Sequence, residues 1–326
     1  MFSSPLFLLF IGIVLLFLGG EFIVRGGVSL ASNFKISTMV VGVTVVSFGT
    51  SAPELVVSVG AAFSGHPDIA MGNVVGSNIA NIGLVLGLTI VILPVFVESR
   101  SLLFNMLVML GVTLLLIAFA FDRQLVWWEG AILLSLIIVF VWFSVRKSQI
   151  SLRNGIGEIP VGKHSLMVAI IIIAGSGLVL VLGARFLVQG ASEIARGIGV
   201  SERAISVSVI ALGTSLPELA TSAVAAFRKE NDISIGNIIG SNIFNILAIL
   251  GTSSGLLGLP GFSHVKSIGI SEKMFSTDLM VCLGFSVLLM ILMLPFRRVA
   301  LGRVKGIVLI SAYLAYIFMV FNADVI

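Results

Sequence analysis

Two short stretches of this sequence carry residues that could do chemistry, and each occurs twice. Gly49-Thr-Ser-Ala-Pro-Glu-Leu55 returns as Gly213-Thr-Ser-Leu-Pro-Glu-Leu219. Gly72-Asn-Val-Val-Gly-Ser-Asn-Ile-Ala-Asn-Ile82 returns as Gly236-Asn-Ile-Ile-Gly-Ser-Asn-Ile-Phe-Asn-Ile246. Both pairs are offset by 164 residues, from 49 to 213 and from 72 to 236. All four stretches lie in strongly apolar surroundings. A carboxylate at the centre of a bilayer costs roughly 2.5 kcal/mol or more, so Glu54 and Glu218 are expected to face the protein interior and to serve a function. Ser47, Thr50, Ser51, Glu54 and Ser58 are spaced to line one helix face, and Ser208, Thr214, Ser215, Glu218 and Ser222 form the second such stripe. A proline inside a helix removes a backbone hydrogen bond and displaces the carbonyl four residues back. Pro53 and Pro217 should therefore loosen the carbonyls of Gly49 and Thr50, and of Gly213 and Thr214. Carbonyls loosened at membrane depth need a partner, and a cation is a good one.

The second motif adds amides and hydroxyls. Asn73, Ser77 and Asn81 are four apart and share a face, as do Asn237, Ser241 and Asn245. Gly72 with Gly76, and Gly236 with Gly240, permit close helix packing. Asn73 and Asn237 could equally serve only to hold helices together, and for Ser58 and Ser222 that is the better reading. The donors are carboxylate, hydroxyl, amide and carbonyl oxygens, without His or Cys. Such a set suits Ca²⁺, Mg²⁺ or Na⁺ rather than zinc or copper. Two carboxylates match one divalent ion in charge, and the irregular donor set favours Ca²⁺, with Na⁺ as competitor, over octahedral Mg²⁺.

The elements that must position these residues are membrane spans. The 326 residues are 58% apolar and 10% charged, with mean hydropathy +1.19, whereas soluble domains are about a quarter charged. At roughly 20 apolar residues per span, ten spans are expected: 5–25, 36–62, 70–93, 102–121, 126–145, 164–190, 200–227, 232–258, 277–295 and 304–322. The first reads as a retained span rather than a signal peptide. The longest polar interruption is 146–163. The same 164-residue offset aligns Phe22 with Phe186, Val24 with Val188 and Gly26 with Gly190. The expected fold is thus all-α and integral to the membrane: a first five-helix repeat at 1–145, a cytoplasmic linker at 146–163, and a second five-helix repeat at 164–326. An odd number of spans per repeat inverts the second against the first, an arrangement common in transporters. With the N-terminus outside, thirteen of the nineteen basic residues, including Arg146, Lys147, Arg153 and Lys163, fall in cytoplasmic loops. Both termini are then outside, and the expected location is a prokaryotic inner (plasma) membrane.

Several classes are excluded. Cys282 is the single cysteine, so there is no disulfide framework. The scattered basic residues do not suggest nucleic-acid binding, and no obligatory protein partner is evident beyond membrane lipid. No nucleophile, metal cluster or phosphate loop accompanies the glutamates, so an enzyme is not expected. Nor is a cofactor other than transported ions.

At these motifs, and across its whole length, the chain resembles the sodium/calcium exchanger branch of the calcium/cation antiporter superfamily. The resemblance implies antiport of Ca²⁺ against Na⁺ by alternating access, with the first and sixth spans sliding. It implies that Glu54 and Glu218, with the carbonyls of Thr50 and Thr214, hold Ca²⁺. One flanking Na⁺ site would use Thr50, Ser51, Glu54 and Ser241 with the carbonyl of Ser47. The other would use Thr214, Ser215, Glu218 and Ser77 with the carbonyl of Ala211. Asn81 and Asn245 would line the middle. Asn245 stands where some relatives carry Asp, which suggests independence from potassium. The segment 146–163 is too short for the regulatory domain of animal exchangers. A proton-coupled cation antiporter of the same superfamily is the alternative.

Overall fold

In a computed structural model of the chain, residues 4–97, 101–157, 159–199, 213–258, 265–294 and 299–323 are described. They form helices α1 (Pro5–Phe34), α2 (Thr38–Thr50), α3 (Ala52–Phe63), α4 (Pro67–Ile92), α5 (Ser101–Phe119), α6 (Trp127–Arg153), α7 (Leu166–Gly197), α8 (Leu216–Phe227), α9 (Asn231–Gly258), α10 (Met274–Leu292) and α11 (Arg303–Ala323). Among the described residues eight of these are long and apolar enough to cross a membrane, or nine if the pair α2–α3, bent by 52°, is counted as one span. The seventh expected span, 200–227, is represented by α8, because 200–212 lies outside the described residues. Four three-residue strands, which apolar counting does not reveal, pair antiparallel as β1 (Val95–Val97) with β4 (Val299–Leu301) and β2 (Gln124–Val126) with β3 (Ser267–Gly269).

The chain divides into two compact units, each drawing on both sequence halves: 1–53 with 148–237, and 54–147 with 238–326. The first unit is built around α1 and α7. Ser4 caps α1 by accepting the Phe7 N–H at 3.2 Å, with Pro5 in the first turn. The expected end at residue 25 falls short, because the helix runs on to Phe34 and ends at a left-handed Lys35 (φ 53°). Thirty residues span about 45 Å, well beyond the ~30 Å of hydrocarbon. The apolar count stops at Arg25, while the helix continues for nine more residues.

Helices α1 and α7, which the 164-residue offset aligns, run antiparallel. Their contact is backbone to backbone. A Cβ on Gly12 would stand 2.6 Å from the Leu187 nitrogen, one on Gly183 2.8 Å from the Leu16 nitrogen, and one on Gly190 2.6 Å from the Pro5 oxygen. Only glycine permits that approach. α8 lies against α1 near Gly20, whose Cβ would meet the Ala220 carbonyl at 3.1 Å. Close by, the buried Glu21 carboxylate pairs with Arg25 at 2.6 Å and with Arg228 at the end of α8.

The second unit contains the π-helical segments Asn81–Leu86 in α4, Asn245–Leu250 in α9 and Met274–Asp278 at the start of α10. A fourth, Gly42–Val46, lies in α2 of the first unit. Helix α11 closes on α4 through glycine: a Cβ on Gly87 would sit 2.7 Å from Ile310, and one on Gly306 2.7 Å from the Gly87 carbonyl. The apolar core here includes Ile79, Ile82, Leu86, Ile90, Met106 and Leu116, all essentially without solvent exposure.

Candidate ion-binding site

The Gly-Thr-Ser-x-Pro-Glu motif breaks a helix rather than loosening one. α2 ends at Thr50, Ser51 leaves helical geometry (φ −85°, ψ 10°), and α3 starts at Ala52. Ser215 repeats this conformation (φ −86°, ψ 2°) ahead of α8. Proline lacks an N–H and fits the first turn of a helix, where that donor has no partner anyway. Ending one helix and starting another thus removes the clash that a proline inside a continuous helix would create. The Ser47 carbonyl accepts the Ser51 N–H at 2.9 Å and the Thr50 hydroxyl at 3.2 Å. Glu54 and Glu218 each stand in the first turn of the new helix, where the helix dipole favours negative charge. Both are fully buried, at 0% exposure.

In the first unit the motif residues meet one another. The Ser51 hydroxyl donates to Glu218 Oε1 at 2.9 Å. Asn237 gathers three neighbours: its Oδ1 accepts from the Thr50 hydroxyl at 3.1 Å, and its Nδ2 donates to Ser222 Oγ at 3.0 Å and to the Glu218 carbonyl at 3.4 Å. Its own carbonyl accepts from the Ser47 hydroxyl at 3.2 Å. Ser47, Thr50 and Ser51 are buried, and Thr214 is half-buried. The Ser215 hydroxyl is buried without a hydrogen-bond partner among the described residues. Ala211 and Ser208 lie outside the described residues.

In the second unit Asn73 does for Glu54 what Asn237 does for Glu218. Its Nδ2 donates to the Glu54 carbonyl at 3.2 Å and to Ser58 Oγ at 2.9 Å. The paired bonds tie Asn73 and Ser58, and Asn237 and Ser222, to the turn that carries each glutamate. Ser77, Asn81, Ser241 and Asn245 are all buried. Neither polar atom of Asn81, nor Asn245 Oδ1, has a hydrogen-bond partner among the described residues. Asn81 and Asn245 are also the first residues of the two equivalent π-segments. A π-turn adds a residue to the helical ring and recurs at functional sites, and no spacing of residue types announced it. Sequence reading also passed over Asn78, Asn242 and Glu21. The signal for Glu21 was a lone acid in an apolar run, hidden by ending the span at the next charge.

The donors are those of a hard-cation site. Among the described residues no group of three His, Cys, Asp or Glu comes together, so an ion held here relies on hydroxyl, amide and backbone oxygens beside the carboxylates. At the edge of this region, Glu230 follows α8, and burial pushes its carboxyl above the usual range, partly offset by Arg228.

A family model described as sodium/calcium exchanger protein matches residues 4–146 and 168–322. The chain belongs to the sodium/calcium exchanger family. Its relatives within the family include the putative antiporter CaxA of Alkalimonas amylolytica, 36% identical over 96% of this chain and 97% of that protein. They also include inner membrane protein YrbG of Escherichia coli (strain K12), 33% identical over 96% of each chain. Sodium/calcium exchanger MaX1 of Methanosarcina acetivorans is 28% identical over 96% of this chain and 97% of its own length. A solved structure of the sodium-calcium exchanger NCX_Mj, soaked with 10 mM Na⁺ and 10 mM Sr²⁺, superposes with a TM-score of 0.80 at 30% identity, covering 97% of this chain and 98% of that one. This member of the exchanger family is accordingly a multi-pass membrane protein and a cation/Ca²⁺ antiporter, not an enzyme. Only residues 147–167 separate the two halves of the family match, with no room for a regulatory domain.

Proposed function

We propose that the chain exchanges Ca²⁺ for Na⁺ by alternating access, with Glu54 and Glu218 as the shared central ligands. The observation that carries this reading is the repeated placement of a fully buried glutamate in the first turn after a helix break, with a hydroxyl of the motif donating to one of them, Ser51 to Glu218. Thr50, Thr214, Ser51, Ser215, Ser77, Ser241, Asn81 and Asn245 would complete the sites, with the carbonyls of Ser47 and Ala211. Because Ca²⁺ and Na⁺ would compete for the same carboxylates, exchange follows without further machinery or a cofactor. We take the ten spans as two inverted repeats, 1–145 and 164–326, joined by the cytoplasmic linker 146–163. The antiparallel course of α1 and α7 supports that arrangement. Both termini are placed outside an inner membrane.

The test is ⁴⁵Ca²⁺ uptake into proteoliposomes loaded with Na⁺, against K⁺-loaded vesicles and vesicles holding a pH gradient. Uptake that requires internal Na⁺ is expected, and it should be lost in Glu54→Gln and Glu218→Gln. Uptake driven by the pH gradient alone would assign the protein to proton-coupled antiport. Intact transport by either glutamine variant would remove the carboxylates from the mechanism.

A further inference from the structure

Asn78 and Asn242 hold the same place in the two repeats, each three residues ahead of a candidate ligand, Asn81 or Asn245, and both are buried. Their bonds differ. Asn78 Nδ2 donates to the Asn242 backbone carbonyl at 3.2 Å, and Asn78 Oδ1 accepts from Asn245 Nδ2 at 2.9 Å. Asn242 instead turns its own Nδ2 back to the Ile238 carbonyl of the preceding turn, at 2.8 Å.

The order of atoms in this chain is forced. A backbone carbonyl only accepts, so Asn78 must present Nδ2 to it. Its Oδ1 then faces Asn245, which must answer with Nδ2 and turn its own Oδ1 away. That Oδ1 is buried and without a hydrogen-bond partner among the described residues. One peptide carbonyl thereby sets the orientation of two side-chain amides and leaves a carbonyl-type oxygen free for a cation. Asn81, the repeat counterpart of Asn245, has neither polar atom held.

We infer that Asn78 is a positioning residue: through the Asn242 carbonyl it locks Asn245 with Oδ1 toward the ion, so the second-half asparagine is the preorganised ligand and Asn81 the adaptable one. This rests on the proposed role of Asn245 as an ion ligand. Breaking the lock lets the Asn245 amide rotate. That weakens ion binding before it slows the conformational steps, and it acts only while Asn245 is present.

The experiment is Na⁺-driven ⁴⁵Ca²⁺ uptake in proteoliposomes for Asn78→Ala, Asn242→Ala, Asn245→Ala and the Asn78→Ala/Asn245→Ala double variant. Asn78→Ser, which retains a hydroxyl donor and acceptor, serves if the alanine variant does not give a monodisperse protein. Asn78→Ala is expected to raise the half-saturating Ca²⁺ concentration about tenfold with little change in maximal rate, the loss of one buried, oriented hydrogen bond. Asn242→Ala, which keeps its backbone carbonyl, should shift it several-fold less. In the Asn245→Ala background the Asn78 substitution should add nothing, a coupling that a merely structural role would not produce. Equal effects of Asn78→Ala and Asn242→Ala, or additive effects of Asn78→Ala and Asn245→Ala, would overturn the inference alone. A silent Asn245→Ala would overturn the ligand reading beneath it as well.

Discussion

Replacing Asn237 with alanine should loosen the turn that carries Glu218 far more than the matching change at Asn73 loosens the turn of Glu54. Asn237 is fully buried and its side chain makes three contacts, with Thr50, Ser222 and the Glu218 carbonyl. A buried polar group left without its partner loses about 1 kcal/mol or more, so three such contacts sum to about 3 kcal/mol. Asn73 is half-buried and makes two contacts, and Ser58, one of its partners, also reaches the Ala70 carbonyl at 3.5 Å. Water and that second acceptor recover part of the loss, leaving about 1 kcal/mol. At roughly 2 °C per kcal/mol for a chain of this size, Asn237→Ala should lower the thermal midpoint by about 6 °C and Asn73→Ala by about 2 °C. Thermal unfolding of the detergent-purified protein, followed by intrinsic fluorescence, measures both under the same conditions. A drop for Asn73→Ala equal to or larger than that for Asn237→Ala would refute the reasoning, because the two sites share a sequence motif and differ only in burial and contacts.

Two further outcomes are expected. Gly183→Ala should destabilise by about 1–3 kcal/mol, since its Cβ would press on the Leu16 backbone nitrogen at 2.8 Å. Gly175→Ala in the same helix meets nothing within 4 Å and should be neutral or stabilising by up to about 1 kcal/mol; thermal midpoints of the pair check this. Glu21→Gln should destabilise by about 1–2 kcal/mol, less than a fully buried pair, because the side chains of Arg25 and Arg228 are 51% and 36% exposed. An unchanged midpoint would show that the triad contributes no net stability.

Much of the architecture is legible in the residues because the chain states it twice. The recurrence of both motifs at one offset aligns α1 with α7, and an odd number of spans per repeat calls for the antiparallel course that these two helices take. Glu54 and Glu218 stand out because a carboxylate in the middle of an apolar run is costly and each recurs in the same motif. What escaped has physical causes. A helix break at Ser51 and a continuous helix with a proline share the same residues, and only tertiary packing decides between them. Asn78 was overlooked because the reading followed one helix face in steps of four, from Asn73 through Ser77 to Asn81. Asn78 lies about 100° around from Ser77, on a face whose bonds become visible only against the second half. The four short strands are too brief for any periodicity to mark.

The π-segments also carry a record of descent. Asn81–Leu86 and Asn245–Leu250 are separated by the same 164 residues as the motifs. An extra residue inserted at the same point in both copies is most simply inherited from a single ancestral unit that already possessed it before duplication. The chain thus dates one of its own irregularities: the asparagine-bearing turns are older than its division into two halves.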